Sequence, residues 1–335
     1  MDNTFSSYKI DDRSLVAFIK REIHNLALES GFTQHRAGEL DIIVAELTSN
    51  LIKFAGEGEL LYRVKRAPSS PEIEIFCIDS AIGIENVGKV MSDGFSSVNT
   101  LGQGLGAIKR LSDDFQIYSL KNWGTVQYVK ICGTSYPPGI PTNFNVSAIK
   151  VNCPGENVCG DSYAFKNIKN GFQIFVGDGL GHGINALEAA EMAKEFFNVT
   201  SITDPVEILR QMHEHVKKTR GLVATIVSVD EKAAIWSICG VGNISTRIYT
   251  GMENKTYNPY NGIVGHNMPR TLNTTTFPYE KYQMVVMHSD GLKTRWDLNN
   301  LSSILKHEPG IVAASIYKGN VRGNDDVTIL VGKVN

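Results

Sequence analysis

A chain of 335 residues, 42% hydrophobic and 20% charged, is long enough for two domains that each bury a core. Its formal net charge of −2 excludes a general electrostatic pull toward nucleic acid or an anionic membrane, so a small ligand or a protein partner is expected. No apolar run approaches the roughly 20 residues that a bilayer span needs, and the start MDNTFSSYKIDDRS lacks the apolar segment of a signal peptide.

In chain order, Leu15, Phe18, Ile19, Ile23 and Leu26 recur at helical spacing, and Gly31 suits the stop after them. A second helix is predicted from near Thr33 through ELDIIVAELTSNLIKFA. The runs ELLYRVKR and EIEIFCID, split by APSSP, read as a β-hairpin, and FQIYSL and TVQYVKI supply two more strands. Helices first and strands later predict an α+β domain, a mixed sheet with helices on one face. The segment GTSYPPGIPTNFNVS holds three prolines and two glycines and reads as an extended linker. The expected boundaries are therefore a first domain at 1–134, a linker at 135–146 and a second domain at 147–335.

Strands dominate the second half: SAIKVNC, SYAFKNI, FQIFVGD, LVATIVSVD, AAIWSICG, STRIYT, QMVVMHSD and VTILVGKV. Two helices interrupt them. INALEAAEMAKEFF carries Ile184, Leu187, Ala190, Ala193 and Phe197 on one stripe expected to face the core, and DPVEILRQMHEHVKK has Asp204 as N-cap and Pro205 at its first position. Evenly spaced strands with hairpin turns predict a β-sandwich with helices packed outside. The five cysteines (Cys77, Cys132, Cys153, Cys159, Cys239) are odd in number and lack zinc-site spacing, so they read as free thiols in a reducing cytoplasm.

The stretch VGDGLGHG, 176–183, ends a strand in an acid among glycines. Asp178 there is either a solvated turn residue or a metal ligand approached closely by the backbone. Other acids sit at strand ends: Asp161 in GENVCGD, Asp290 in MHSDGL, and Asp325 and Asp326 in GNDDVTILV. Buried carboxylates are costly without a cation, and converging ones make an all-oxygen site suited to Mg²⁺ or Mn²⁺.

These four motifs, in this order, resemble the SpoIIE-type branch of the metal-dependent (PPM) serine/threonine phosphatases, with RsbX-like members nearest by motif. The resemblance covers roughly 145–333 and implies two Mn²⁺ or Mg²⁺ ions at one end of a β-sandwich. Asp161 and Asp178 would contact the ion pair, with Asp178 bridging and central to catalysis, Gly179 giving its carbonyl, and Asp290 and Asp325 holding one ion. Asp326 is the less suited of its pair. One departure is Leu180, where many relatives carry a histidine suited to protonating the leaving group; His182 nearby is read as a turn or helix-start residue. The helix after the turn corresponds to one through which partners can tune this branch.

In the first half, Glu46 and Asn50 share a helix face in AELTSNLIKFAGEG, followed by IFCIDSAIGI, NTLGQGLGAIKRLSD and GTVQYV. Together they resemble the GHKL ATPases, in particular RsbT-like anti-sigma-type serine kinases, over about 10–132. The resemblance implies a GHKL α/β sandwich binding ATP with Mg²⁺. Asn50 would help hold the ion, Glu46 would be the candidate catalytic base, Asp79 and Thr125 would meet the adenine, and Gly102, Gly104 and Gly106 would admit the phosphates. The family's D-x-G-x-G is here Asp79-Ser80-Ala81-Ile82-Gly83, with Ala81 in place of the first glycine. The combined expectation is a cytoplasmic partner-switching enzyme. Its C-terminal half would dephosphorylate a STAS-domain anti-sigma antagonist, and its N-terminal half would phosphorylate that class of partner. The alternative is a phosphatase whose first domain is a non-catalytic ATP- or partner-binding adaptor. No nucleic-acid or membrane partner is expected.

Overall fold

The computed structural model describes residues 3–66, 70–90, 104–134, 143–251 and 253–335. The chain separates into two compact units, Met1–Pro141 with Asn300–Ile304, and Thr142–Asn299 with Leu305–Asn335.

The first unit opens with β1 (Ser6–Ile10), α1 (Arg13–Glu29) and α2 (Gln34–Asn50). The Asp12 side chain caps α1 by accepting from Ser14 N, and Thr33 caps α2 by accepting from Arg36 N. Between them Gly31 takes φ +97°, a conformation that stops the first helix at little cost. A π-helical turn, Leu51–Ala55, follows α2. Then come β2 (Gly58–Lys65), β3 (Glu72–Asp79), the short α3 (Val87–Val90), α4 (Gly104–Leu111), β4 (Asp114–Leu120) and β5 (Gly124–Cys132).

The strands form one sheet in the order β1-β2-β3-β5-β4. Every neighbouring pair is antiparallel, so the expected mixed sheet is corrected. β3 and β4 do run the same way across a helical crossover, but β5 inserts between them and removes the parallel contact. Ile19 and Ile23 of α1, Leu40 and Leu47 of α2, and Ile108 of α4 share one core with Leu60, Ile75 and Val129 of the sheet.

The second unit comprises β6 (Phe144–Val151), β7 (Asp161–Ile168), β8 (Gly171–Gly179), α5 (Ile184–Val199), α6 (Pro205–His215), β9 (Leu222–Asp230), β10 (Ile235–Val241), β11 (Ser245–Thr250), β12 (Glu253–Tyr257), β13 (Thr275–Pro278), β14 (Met284–His288), α7 (Pro309–Asn320) and β15 (Val327–Val334). They make two five-stranded sheets, β13-β10-β9-β8-β7 and β12-β11-β14-β15-β6. Alternation along β8 sends Phe172, Ile174 and Val176 into a core with Val285, Met287 and Leu330 of the other sheet, whereas Phe175 points to the opposite face. There Phe197 of α5 and Leu209 of α6 cover it. The result is a β-sandwich with helices outside.

Several further details differ from the sequence reading, among them the unpredicted strands β1, β12 and β13. β6 begins at Phe144, three residues inside the segment read as linker, because its ring stacks on Phe172 with centroids 3.8 Å apart; residues 135–142 of that segment lie outside the described residues. The core stripe of α5 runs through Ala186, Ala189, Ala190, Ala193 and Phe197, and Ile184, expected on it, is 66% exposed at the helix start. α7 was not expected at all. Its residues Pro309–Tyr317 are buried without a break, so no amphipathic period marks it.

Candidate active site

Asp161 opens β7 and Asp178 lies near the end of β8, and the two are paired directly across the strands. Glycines let three segments close on this spot. A Cβ at Gly179 would lie 2.1 Å from Ala186 O, and one at Gly160 would lie 2.7 Å from Ala186 Cβ. The start of α5 therefore packs straight onto both acid-bearing segments.

Asp161 is fully buried. Ser289 Oγ donates to its Oδ2 at 2.6 Å, while Oδ1 has no hydrogen-bond partner among the described residues. Burial pushes the Asp161 carboxyl up to about 7, against the pull of the Ser289 hydrogen bond. Lys150 Nζ, also buried, donates to Asp161 O at 3.4 Å. Asp178 is held well above the usual carboxylate range, first by burial and then by the charges of Asp161, Asp290, Asp325 and Asp326. Four other acids thus act on Asp178.

Among the described residues no group of three or more His, Cys, Asp or Glu side chains is drawn in tightly enough to hold a metal ion as it stands. Several of these carboxylates take a protein donor of their own. Asn243 Nδ2 donates to Asp290 Oδ2 at 3.0 Å, and Asp325 Oδ1 accepts from Asp326 N at 2.9 Å. Asp326 uses both oxygens, accepting from Cys153 N and Gly160 N at 2.7 Å each, which makes it a brace between β15 and the loop before β7. The donor set nevertheless suits a hard cation. It is all oxygen, it includes an orphaned buried carboxylate oxygen, and its mutual repulsion is the penalty that a divalent ion would offset.

Sequence reasoning passed over the supports of this cluster. Ser289 N also donates to Thr328 O, and Thr328 N to Ser289 Oγ, which ties β14's end to β15. Next to it, buried His288 is pushed down to about 4 by desolvation and stays neutral. Its Nδ1 donates to Ser289 O at 2.7 Å and its Nε2 accepts from Trp296 Nε1 at 3.1 Å. Arg247 stacks 4.1 Å over the Trp296 ring. For His288, Ser289 and Trp296 the sequence signal was closeness to Asp290; Arg247 and Thr328 reach the cluster only through the fold. Cys159 is a buried thiol whose acidity burial suppresses, so it offers no nucleophile.

In the first unit, Glu46 and Asn50 lie on α2 beneath the start of α4. A Cβ at Gly104 would sit 2.7 Å from Glu46 Oε2 and 3.9 Å from Asn50 Nδ2. At the other end, Asp79 and Thr125 are register partners on β3 and β5. Asp79 Oδ1 accepts from Ala81 N at 2.9 Å and from Thr125 N at 3.2 Å. Thr125 Oγ1 in turn meets Ser119 Oγ at 2.9 Å. Gly83 is forced by its setting, with φ +77° and Leu120 O only 2.0 Å from where a Cβ would be. Gly106 is buried within α4, and Gly102 lies outside the described residues.

Comparison with known proteins agrees with the sandwich. "Phosphoserine phosphatase RsbX" of Bacillus subtilis (strain 168) is 26% identical over 188 residues, 55% of this chain and 92% of that protein. The crystal structure of RsbX in complex with magnesium superposes with a TM-score of 0.50 at 25% identity, covering 59% of this chain and 98% of that one. "Serine/threonine-protein kinase RsbT" of the same organism is 34% identical over 107 residues, 32% of this chain and 80% of that protein, a likeness that puts an RsbT-family segment in the chain. Fold and relatives together define a serine/threonine phosphatase of the PPM type. Residues 169–335 match the family Stage II sporulation protein E (SpoIIE). Its place among RsbX- and RsbT-like proteins marks it as a component of partner-switching signalling. Among the described residues no helix is long and apolar enough to cross a membrane.

Proposed function

We propose that the second unit removes phosphate from phosphoserine or phosphothreonine of a protein partner in the cytoplasm, a STAS-domain anti-sigma antagonist by analogy with the family. The observation that carries this reading is the pairing of Asp161 with Asp178 beside an orphaned carboxylate oxygen. Asp161, Asp178, Asp290, Asp325 and the Gly179 carbonyl would hold two Mn²⁺ or Mg²⁺ ions. The ions would supply Lewis-acid activation of a water and charge compensation for the phosphoryl oxygens. The chain's own share is positional. Ser289 fixes one oxygen of Asp161 and leaves the other to the site, and Asp326 staples the loop before β7. Neutral His288 adds no charge behind Asp290.

The RsbT-like segment is read as the first unit, binding ATP with Mg²⁺ through Glu46, Asn50, Asp79, Gly83, Gly102, Gly104, Gly106 and Thr125, and phosphorylating the same class of partner with Glu46 as base. Gly104 against Glu46 and Asn50 supports it. Ala81, placed inside the Asp79 turn, favours keeping a second reading in which this unit binds ATP or a partner without transfer.

The test is release of phosphate from a phosphoserine protein with Mn²⁺, in wild type and Asp178→Asn, alongside transfer of labelled phosphate from ATP in wild type and Glu46→Ala. Turnover lost in Asp178→Asn supports the phosphatase, and unchanged turnover contradicts it. ATP bound without label transfer selects the adaptor.

A further inference from the structure

Releasing a serine from phosphate leaves an alkoxide, which needs a proton as the ester bond breaks. None of the acids grouped around Asp178 is set up as that donor, because a site that holds divalent ions keeps its carboxylates ionised. An imidazole stands on the same turn. His182 lies four residues after Asp178, between Gly181 and Gly183, both at positive φ of +80° and +79°. Its ring is not loose. Nδ1 lies 2.6 Å from Glu156 Oε1, and Glu156 comes from the loop that leads into Asp161. A Cβ at Gly183 would fall 3.4 Å from Glu156 Oε2, so the glycine makes room for this carboxylate. The His182 side chain is 63% exposed, open to a protein substrate.

We infer that His182, oriented by Glu156, is the proton donor to the leaving serine, an assignment that rests on the phosphatase reading. A carboxylate only accepts, so Nδ1 carries a proton toward Glu156 and Nε2 is the atom that gains and releases one. The water oxygen forms a bond to phosphorus as the ester P–O bond breaks. The electron pair of that bond stays on the seryl oxygen, which takes the proton from Nε2 and becomes a hydroxyl. The proton lost by the attacking water returns to the neutral imidazole through solvent, and serine and hydrogen phosphate are the products. Pairing with a carboxylate that orients the ring is the arrangement general-acid histidines use elsewhere, and such groups contribute about 10²–10⁴-fold.

The experiment compares a phosphoserine peptide with p-nitrophenyl phosphate on the full chain with saturating Mn²⁺, since p-nitrophenolate departs without needing a proton. His182→Gln lowers kcat/KM on the peptide about 100-fold, and on p-nitrophenyl phosphate at least ten times less than that. Glu156→Gln shows the same skew at smaller size. Equal losses on both substrates, or no loss on either, overturn the assignment. Wild type that cleaves neither substrate overturns the phosphatase reading itself, and this inference with it.

Discussion

Ser289 Oγ donates to Asp161 Oδ2 at 2.6 Å, and the other oxygen of that buried carboxylate has no partner among the described residues. One side of the acid is thus fixed by the protein and the other is presented to the site. Supports of this kind tune ligand affinity by about 10–100-fold in metal sites. Ser289→Ala is expected to raise the Mn²⁺ concentration giving half-maximal phosphatase activity about tenfold, and Ser289→Thr, which keeps the hydroxyl, to restore most of it. An unchanged Mn²⁺ requirement in the alanine variant contradicts the positioning role.

The pairing of Asp79 with Thr125 gives the ATP reading its own test. Asp79 Oδ1 is committed to the backbone of Ala81 and Thr125, which aims the carboxylate out of the strand end. Replacing it by asparagine keeps the shape and removes the charge and part of the acceptor capacity. ATP affinity of Asp79→Asn, measured by calorimetry, is expected to fall about tenfold or more, equivalent to roughly 1.4 kcal/mol. Unaltered affinity removes Asp79 from the nucleotide site.

Acid sensitivity of the first unit follows from Glu74. Burial alone would raise its carboxyl, but the charges of Arg63 at 2.6 Å and Lys65 at 2.9 Å outweigh burial and bring it down to about 2 from 4.5. A folded value below the unfolded one means stability that is present above pH 4.5 and lost as pH falls toward 2. The contribution at neutral pH is about 3 kcal/mol. Urea unfolding is expected to show Glu74→Gln destabilised at pH 7 and the gap to wild type shrinking as pH drops through 4 to 3. A gap that is constant with pH contradicts the ion-pair account.

Two glycines with positive φ separate backbone strain from crowding. Gly31 at +97° has nothing among the described residues within 4 Å of an added Cβ, whereas Gly83 at +77° would push one to 2.0 Å from Leu120 O. Gly31→Ala is expected to cost about 1 kcal/mol from conformation alone, and Gly83→Ala more than about 2 kcal/mol because Leu120's backbone must also move. Equal denaturation midpoints for the two variants contradict this.

The acids themselves were legible because they break a rule: Asp161, Asp178, Asp290 and Asp325 end or begin apolar strands, where an unpaired charge is expensive. The antiparallel sandwich was legible because β8 and its neighbours alternate with period two. The interior helix α7 was not, since residues buried on every side leave no period to read. Nor was the antiparallel sheet of the first unit, because the order of strands depends on where β5 inserts, a long-range choice that local pattern does not encode. Ser289, Asn243 and Glu156 were missed for a similar reason. Each is an ordinary polar residue in sequence and acquires its role only from a partner 47 residues away for Asn243, 128 for Ser289 and 26 for Glu156.

The most direct measurement is the Mn²⁺ stoichiometry of the purified full chain, by calorimetry with ATP absent, in wild type and in Asp178→Asn. The proposal that these carboxylates hold a pair of hard cations predicts two ions per wild-type chain and loss of at least one in the variant. Binding of no ions by wild type, or identical stoichiometry and affinity in Asp178→Asn, would contradict it.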